Sequence, residues 1–231
     1  MRLHVLLSLL FFAGALSGED WPMPIPLESA HLLGVGRPAG KPPVPLTDEL
    51  SILGMGANNL LALLERSRVG SSWRVRTKVI DLVKDSILWQ QDWEDWGDED
   101  LFPVWWETNR PLIAVTLQKW RINPLDYQLG EFPVILDDEY YQAYLRRTKD
   151  VSTGLLARLE VILHSSGRGI KTVLDLTGTW RWATLLGFVP SPFENRLALV
   201  LLVQPEGWDG DQQPLRFLVT GASLKAGFEQ P

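Results

Sequence analysis

The clearest alternation of apolar and polar positions lies in the last third of the chain. "LLARLEVILH" (155–164) places Leu155, Ala157, Leu159, Val161 and Leu163 on one face, with Arg158, Glu160 and His164 on the other. A period of two is that of a strand with one wet face. "IKTVLDLTG", "TWRWATLLGF", "RLALVLLVQ" and "LRFLVTG" follow at short spacing. The run predicts an antiparallel sheet from about 151 to 220.

The first half reads as mixed. Thr47 and Asp48 can cap a helix entering "ELSIL"; Gly54 and Gly56 interrupt it, and "ANNLLALLERS" continues it to about Ser67. "SSWRVRTKVIDLV" alternates like a strand, although Val79, Val83 and Ile87 are also at helical spacing. "RPLIAVTLQKW" (110–120) is strand-like. "DDEYYQAYLRRTKD" gives the clearest helical signal. Asp137 can serve as N-cap, Arg146, Arg147 and Lys149 sit near the end, and Tyr140–Tyr144 and Tyr141–Leu145 are i, i+4 pairs. The expected fold is therefore α+β, with a mixed, helix-containing N-terminal half and an antiparallel β meander in the C-terminal half.

The ends of the chain set its organisation. Met1-Arg2, the apolar run Val5 to Phe12 and the small residues Ala13 to Ser17 read as an export signal over 1–17. That run is shorter than the ~20 residues a membrane helix needs, and no later stretch is long enough, so no integral membrane span is expected once the signal is removed. Residues 18–47 carry seven prolines between 22 and 45 and read as an extended arm, with Trp21, Ile25 and Leu27 as its apolar anchors. Residues 48–231 form the single expected domain.

Composition narrows the setting. There is no Cys, and every Asn fails the Asn-x-Ser/Thr pattern; both absences fit a bacterial periplasmic protein better than an animal secreted one. The net charge of −6, with "RVRTK" (74–78) as its only basic cluster in the sequence outside the helical segment, argues against a nucleic-acid partner. Without Cys or H-E-x-x-H, neither a transition metal nor a cofactor is expected. "SSGRGIKT" has Ile170 where a phosphate loop needs Gly, and reads as a turn.

The chemistry that remains is aromatic and acidic. "ILWQQDWEDWGDEDLFPVWWETNRP" (87–111) contains five of the eleven tryptophans beside a cluster of carboxylates. On a helix Trp89, Trp93 and Trp96 would form one stripe. Burying one such ring is worth about 4–6 kcal/mol at 25 cal/mol/Å², so the stripe belongs in a core or under a partner. Read as a strand, Trp105-Trp106 would turn one ring inward and one outward. A second loop, "VQPEGWDGDQQPL", carries Trp208 at its tip.

The expected ligand-binding set is Trp96, Trp105, Trp106 and Trp208 for apolar contact, with Asp95, Asp98 and Asp209 accepting hydrogen bonds from sugar hydroxyls. The expected function is non-catalytic: a tryptophan-rich accessory protein, periplasmic or secreted, that contacts an envelope glycan or a protein partner. Two alternatives stand beside it. One is a glycoside hydrolase pairing Asp95 or Glu99 with Asp138 or Glu139; the other is a structural subunit of an envelope export or surface assembly.

Overall fold

A computed structural model describes residues 21–27, 48–69, 72–93, 101–125, 129–206 and 216–229. The export signal and most of the proline arm lie outside them. Among the described residues, strands make up 62%, in two antiparallel sheets, one a half-barrel, and one helix is seven residues or longer. The α+β expectation is thus corrected to a β fold.

The first sheet has the order β4-β3-β2-β1-β5. Its strands are β1 (Asp48–Gly56), β2 (Leu60–Val69), β3 (Ser72–Asp81), β4 (Ser86–Trp93) and β5 (Ile122–Pro124). The helices expected over 48–67 are therefore the hairpin β1–β2, turned at Asn59 with φ of 62°. The reason is burial on both faces. Leu60, Leu61, Ala62, Leu63 and Leu64 are all buried, and a strand covered on both sides shows a continuous apolar run without alternation.

Helix α1 (Phe102–Lys119) covers one face of this sheet. Phe102, Trp105, Trp106, Ile113, Ala114 and Leu117 repeat at helical spacing and pack with Leu53, Leu64, Val75 and Val79. Pro111 sits inside the helix, on its exposed side. The opposite face of the sheet, with Leu50, Ile52, Leu61, Leu63 and Leu82, packs against Val189, Ala198 and Val200 of the second sheet.

That second sheet runs β11-β10-β9-β8-β7-β6. It comprises β6 (Val134–Leu136), β7 (Glu139–Lys149), β8 (Leu156–Ser165), β9 (Gly169–Pro190), β10 (Arg196–Pro205) and β11 (Arg216–Ser223). The long β9 pairs with β8 through its first half and with β10 through its second. This hand-over curls the sheet and encloses Tyr141, Val161, Leu163, Phe188, Leu199 and Leu201. The helix expected from Asp137 is β7 instead. Asp137 and Asp138 have φ of 51° and 59° and form the two-residue turn between Leu136 and Glu139, which pair directly.

Of the arm, Trp21 is buried against the α1 side, and Leu27 donates its amide to the Leu50 carbonyl at 2.7 Å. Ile25, also expected as an anchor, is 67% exposed. Among the described residues no helix is long and apolar enough to cross a membrane.

Candidate functional site

The residues expected to bind ligand separate. Asp95, Trp96, Asp98, Trp208 and Asp209 lie outside the described residues, as does Glu99. Trp105 and Trp106 are 7% and 0% exposed, so the strand reading that turned one ring outward is corrected. On a helix neighbouring side chains differ by about 100°, and both rings turn toward the sheet. Trp105 stacks on Phe102 at 5.7 Å and meets the edge of Trp93 at 5.4 Å.

Trp89 and Trp93 are on strand β4 rather than a helix, half-buried against the same core. The Trp93 indole donates to Thr77 Oγ1 at 3.2 Å, and the Arg66 guanidinium lies over Trp73 and Phe102. As far as it is described, the aromatic-rich segment builds core, with Trp105 and Trp106 buried and Trp89 and Trp93 partly covered against them.

A different place gathers polar groups. Three chain segments meet at one rim of the half-barrel: the β6–β7 turn, the β8–β9 turn and the stretch after β11. They line a cleft of about 610 Å³ with Asp138, Glu139, Ser166, Arg168, Lys225 and Phe228. The register fixes this meeting, because Tyr141 pairs with Ser165 and the two turns therefore lie side by side.

Glu139 is the centre of the cleft. The Ser165 hydroxyl donates to Oε1, and Arg168 donates from Nε to Oε2 at 2.8 Å. The Tyr141 hydroxyl lies 2.8 Å from Oε2 and 2.9 Å from the Leu224 carbonyl, so its one proton is shared between two acceptors. The Ser165 oxygen in turn accepts the amides of Gly167 and Arg168, which shapes the turn. These donors, Ser165 foremost, hold the Glu139 carboxyl below the usual carboxylate range. Burial, then the neighbouring carboxylate, raises the Tyr141 phenol.

Glu139 engages Arg168 through Nε, the Tyr141 hydroxyl also interacts with the guanidinium and, with Glu139, raises it above its usual range, and the Arg168 side chain remains 40% exposed. A guanidinium presents a planar fork suited to two parallel hydrogen bonds with a carboxylate. Lys225 supplies a second cation, 3.2 Å from the exposed Asp137. Lys171 lies behind this wall. Its amine donates to the Ser223 and Ala226 carbonyls and sits 4.6 Å over the Phe228 ring. Burial, with a smaller effect from Arg196, brings it down to about 8.

Of the residues singled out in the sequence, Asp138 and Glu139 reach this cleft. Ser165, Arg168, Lys171, Lys225 and Phe228 were not foreseen. The available signal was "SSGRG", read as a plain turn, and its neighbourhood became visible only once β7 was a strand. No protein-family model, curated protein or solved structure significantly matches the chain.

Proposed function

We propose that the chain is an exported, non-catalytic binding protein of the cell envelope, and that the rim cleft holds a carboxylated sugar unit of an envelope glycan. The export assignment rests on the N-terminal pattern of Arg2, Val5 to Phe12 and Ala13 to Ser17. The binding assignment rests on one observation: Arg168, fixed by Glu139, shares a cleft with Lys225, Asp138 and Phe228.

Each group has a role toward such a ligand. Arg168 and Lys225 take the sugar carboxylate. Asp138 accepts hydroxyls, and the Phe228 ring lies against the sugar's C–H face. The nearby carboxylates Asp137, Asp138 and Glu139 oppose a dianion, which favours a single carboxylate over a phosphate. A volume of about 610 Å³ falls within the ordinary range for small-ligand sites. In the hydrolase alternative Glu139 is unsuited to be the general acid, which needs a raised pKa, because this carboxyl is lowered.

Calorimetric titration of the protein with D-glucuronic acid and with D-glucose tests this reading. The acid is expected to bind with a dissociation constant on the order of 1 mM, about −4 kcal/mol, and glucose at least about tenfold more weakly. Arg168→Gln and Lys225→Gln should each weaken the acid alone. Equal binding of the two sugars, or none of the acid, contradicts it.

A further inference from the structure

We propose that the outer face of α1 joins two copies of this chain into an antiparallel, two-fold symmetric dimer. This surface is separate from the rim cleft and goes beyond the glycan reading. The side of α1 turned to the sheet carries Phe102, Trp105, Trp106, Ile113, Ala114 and Leu117. The side turned away is apolar as well. Leu101, Val104, Leu112 and Val115 stand there, each 43–65% exposed, beside the exposed Pro111. The Thr108 and Thr116 hydroxyls spend their protons within the helix, on the Val104 and Leu112 carbonyls, each at 2.9 Å. An exposed apolar stripe of this kind marks a site of association.

Spacing selects the occupant. Leu101, Val104, Thr108, Leu112 and Val115 lie at −7, −4, 0, +4 and +7 from Thr108, so the stripe reads the same from either end. About a two-fold axis at Thr108, Val104 of one copy is level with Leu112 of the other, each about 6 Å from the axis. Leu101 and Val115 are matched in the same way, about 10 Å out. A two-fold interface needs a patch that complements itself, and this stripe does.

Charge fixes the direction. Glu99 and Asp100 directly precede Leu101 in the chain, whereas Lys119 and Arg121 stand at the other end of the helix. The antiparallel arrangement sets the acidic end of each helix against the basic end of its partner; a parallel one would set like against like. In the middle, Glu107 is paired with Arg110 of its own chain at 2.9 Å. A helix of 18 residues is about 27 Å long and about 10 Å wide. That is less than the ~800 Å² per partner of a standard interface, so the dimer is a weak one.

Sedimentation of the full chain up to about 500 µM tests this, with a dissociation constant on the order of 100 µM expected. Val104→Glu and Leu112→Lys, both at exposed positions, should each weaken the dimer at least about tenfold. An equal mixture of the two variants should dimerise again, because the two-fold sets position 104 of one copy against position 112 of the other. Leu101→Lys in place of Leu112→Lys should not restore it. Circular dichroism checks that each variant is folded; Val115→Glu mixed with Leu101→Lys, matched at the outer level, replaces the first pair should either member unfold. A monomer throughout the range, a dimer indifferent to Val104→Glu, mixtures that do not recombine, or rescue of Val104→Glu by Leu101→Lys overturns the proposal. Capture of the wild-type chain by phosphatidylcholine vesicles in place of dimerisation also overturns it. D-glucuronate binding is measured in the same samples and should not change with these variants, so loss of one surface does not imply loss of the other.

Discussion

Asp85, in the turn before β4, binds the backbone of Gly221 on the other sheet: its Oδ1 accepts the Gly221 amide at 2.7 Å. Its second oxygen accepts the Thr220 hydroxyl at 2.9 Å, and the Leu82 carbonyl accepts Arg196 Nη1 at 3.0 Å. One turn thus joins the two sheets through polar contacts at the margin of the apolar layer of Leu61, Leu63, Ala198 and Val200.

Gly221 admits no side chain at this joint. A Cβ there would sit 1.7 Å from the Leu82 carbonyl oxygen, so Gly221→Ala must separate the sheets. We expect a loss of about 3 kcal/mol or more. Asp85→Ala should cost about 2 kcal/mol. Asp85→Asn should cost less, since Asn keeps an acceptor and tolerates the φ of 50°. Urea midpoints at neutral pH measure all three.

Trp106 is a core residue. Trp106→Ala should destabilise by about 3–5 kcal/mol and leave D-glucuronate affinity unchanged wherever the variant is still folded. Denaturation and titration of the same sample separate the two effects.

Glu139 makes stability depend on acid. Its folded pKa is lowered, chiefly by the Ser165 hydroxyl, relative to about 4.3 in the unfolded chain. The carboxylate's contribution is therefore complete above the unfolded value and is lost as pH falls through the folded one. The stability gap between wild type and Glu139→Gln should be widest near pH 7 and close in acid. Urea unfolding across pH measures it, and a gap that stays constant contradicts the assignment.

Lys171 acts in the opposite pH range. Its amine titrates at about 8 when folded and at about 10.4 when unfolded. Between these values the unfolded chain binds more protons, so this group's contribution rises with pH. Relative to Lys171→Met, wild type should gain stability from about pH 8 to 10. An NMR titration of the Lys171 side chain should show the midpoint directly; a midpoint near 10.4 would refute it.

What the sequence disclosed depended on how many sides of each element are covered. "LLARLEVILH" alternates because one face of β8 meets the barrel interior and the other carries Arg158 and Glu160. "NNLLALLERS" shows no alternation because α1 and the second sheet cover both sides of β2. "DDEYYQAYLRR" misled through its ends: acids followed by bases imitate a capped helix, whereas the paired positive φ of Asp137 and Asp138 makes a hairpin. Tyr141 and Ala143 face inward there at period two. "RPLIAVTLQKW", expected as a strand, is instead the second half of helix α1, where Ile113, Ala114 and Leu117 are buried at helical spacing. The rim cleft was illegible for a related reason. Glu139, Arg168 and Lys225 are far apart in sequence, and only the register of β7 with β8 and the path after β11 bring them together.

The most direct measurement is the NMR signal of the Arg168 Nε–H during titration with D-glucuronate, followed beside the ring protons of Phe228. The structure predicts that both shift together and saturate, with the Arg168 proton staying protected by Glu139 throughout. Glucose should move neither. A saturating response elsewhere in the chain, with Arg168 and Phe228 unmoved, would show that the rim cleft is not where the sugar acid binds.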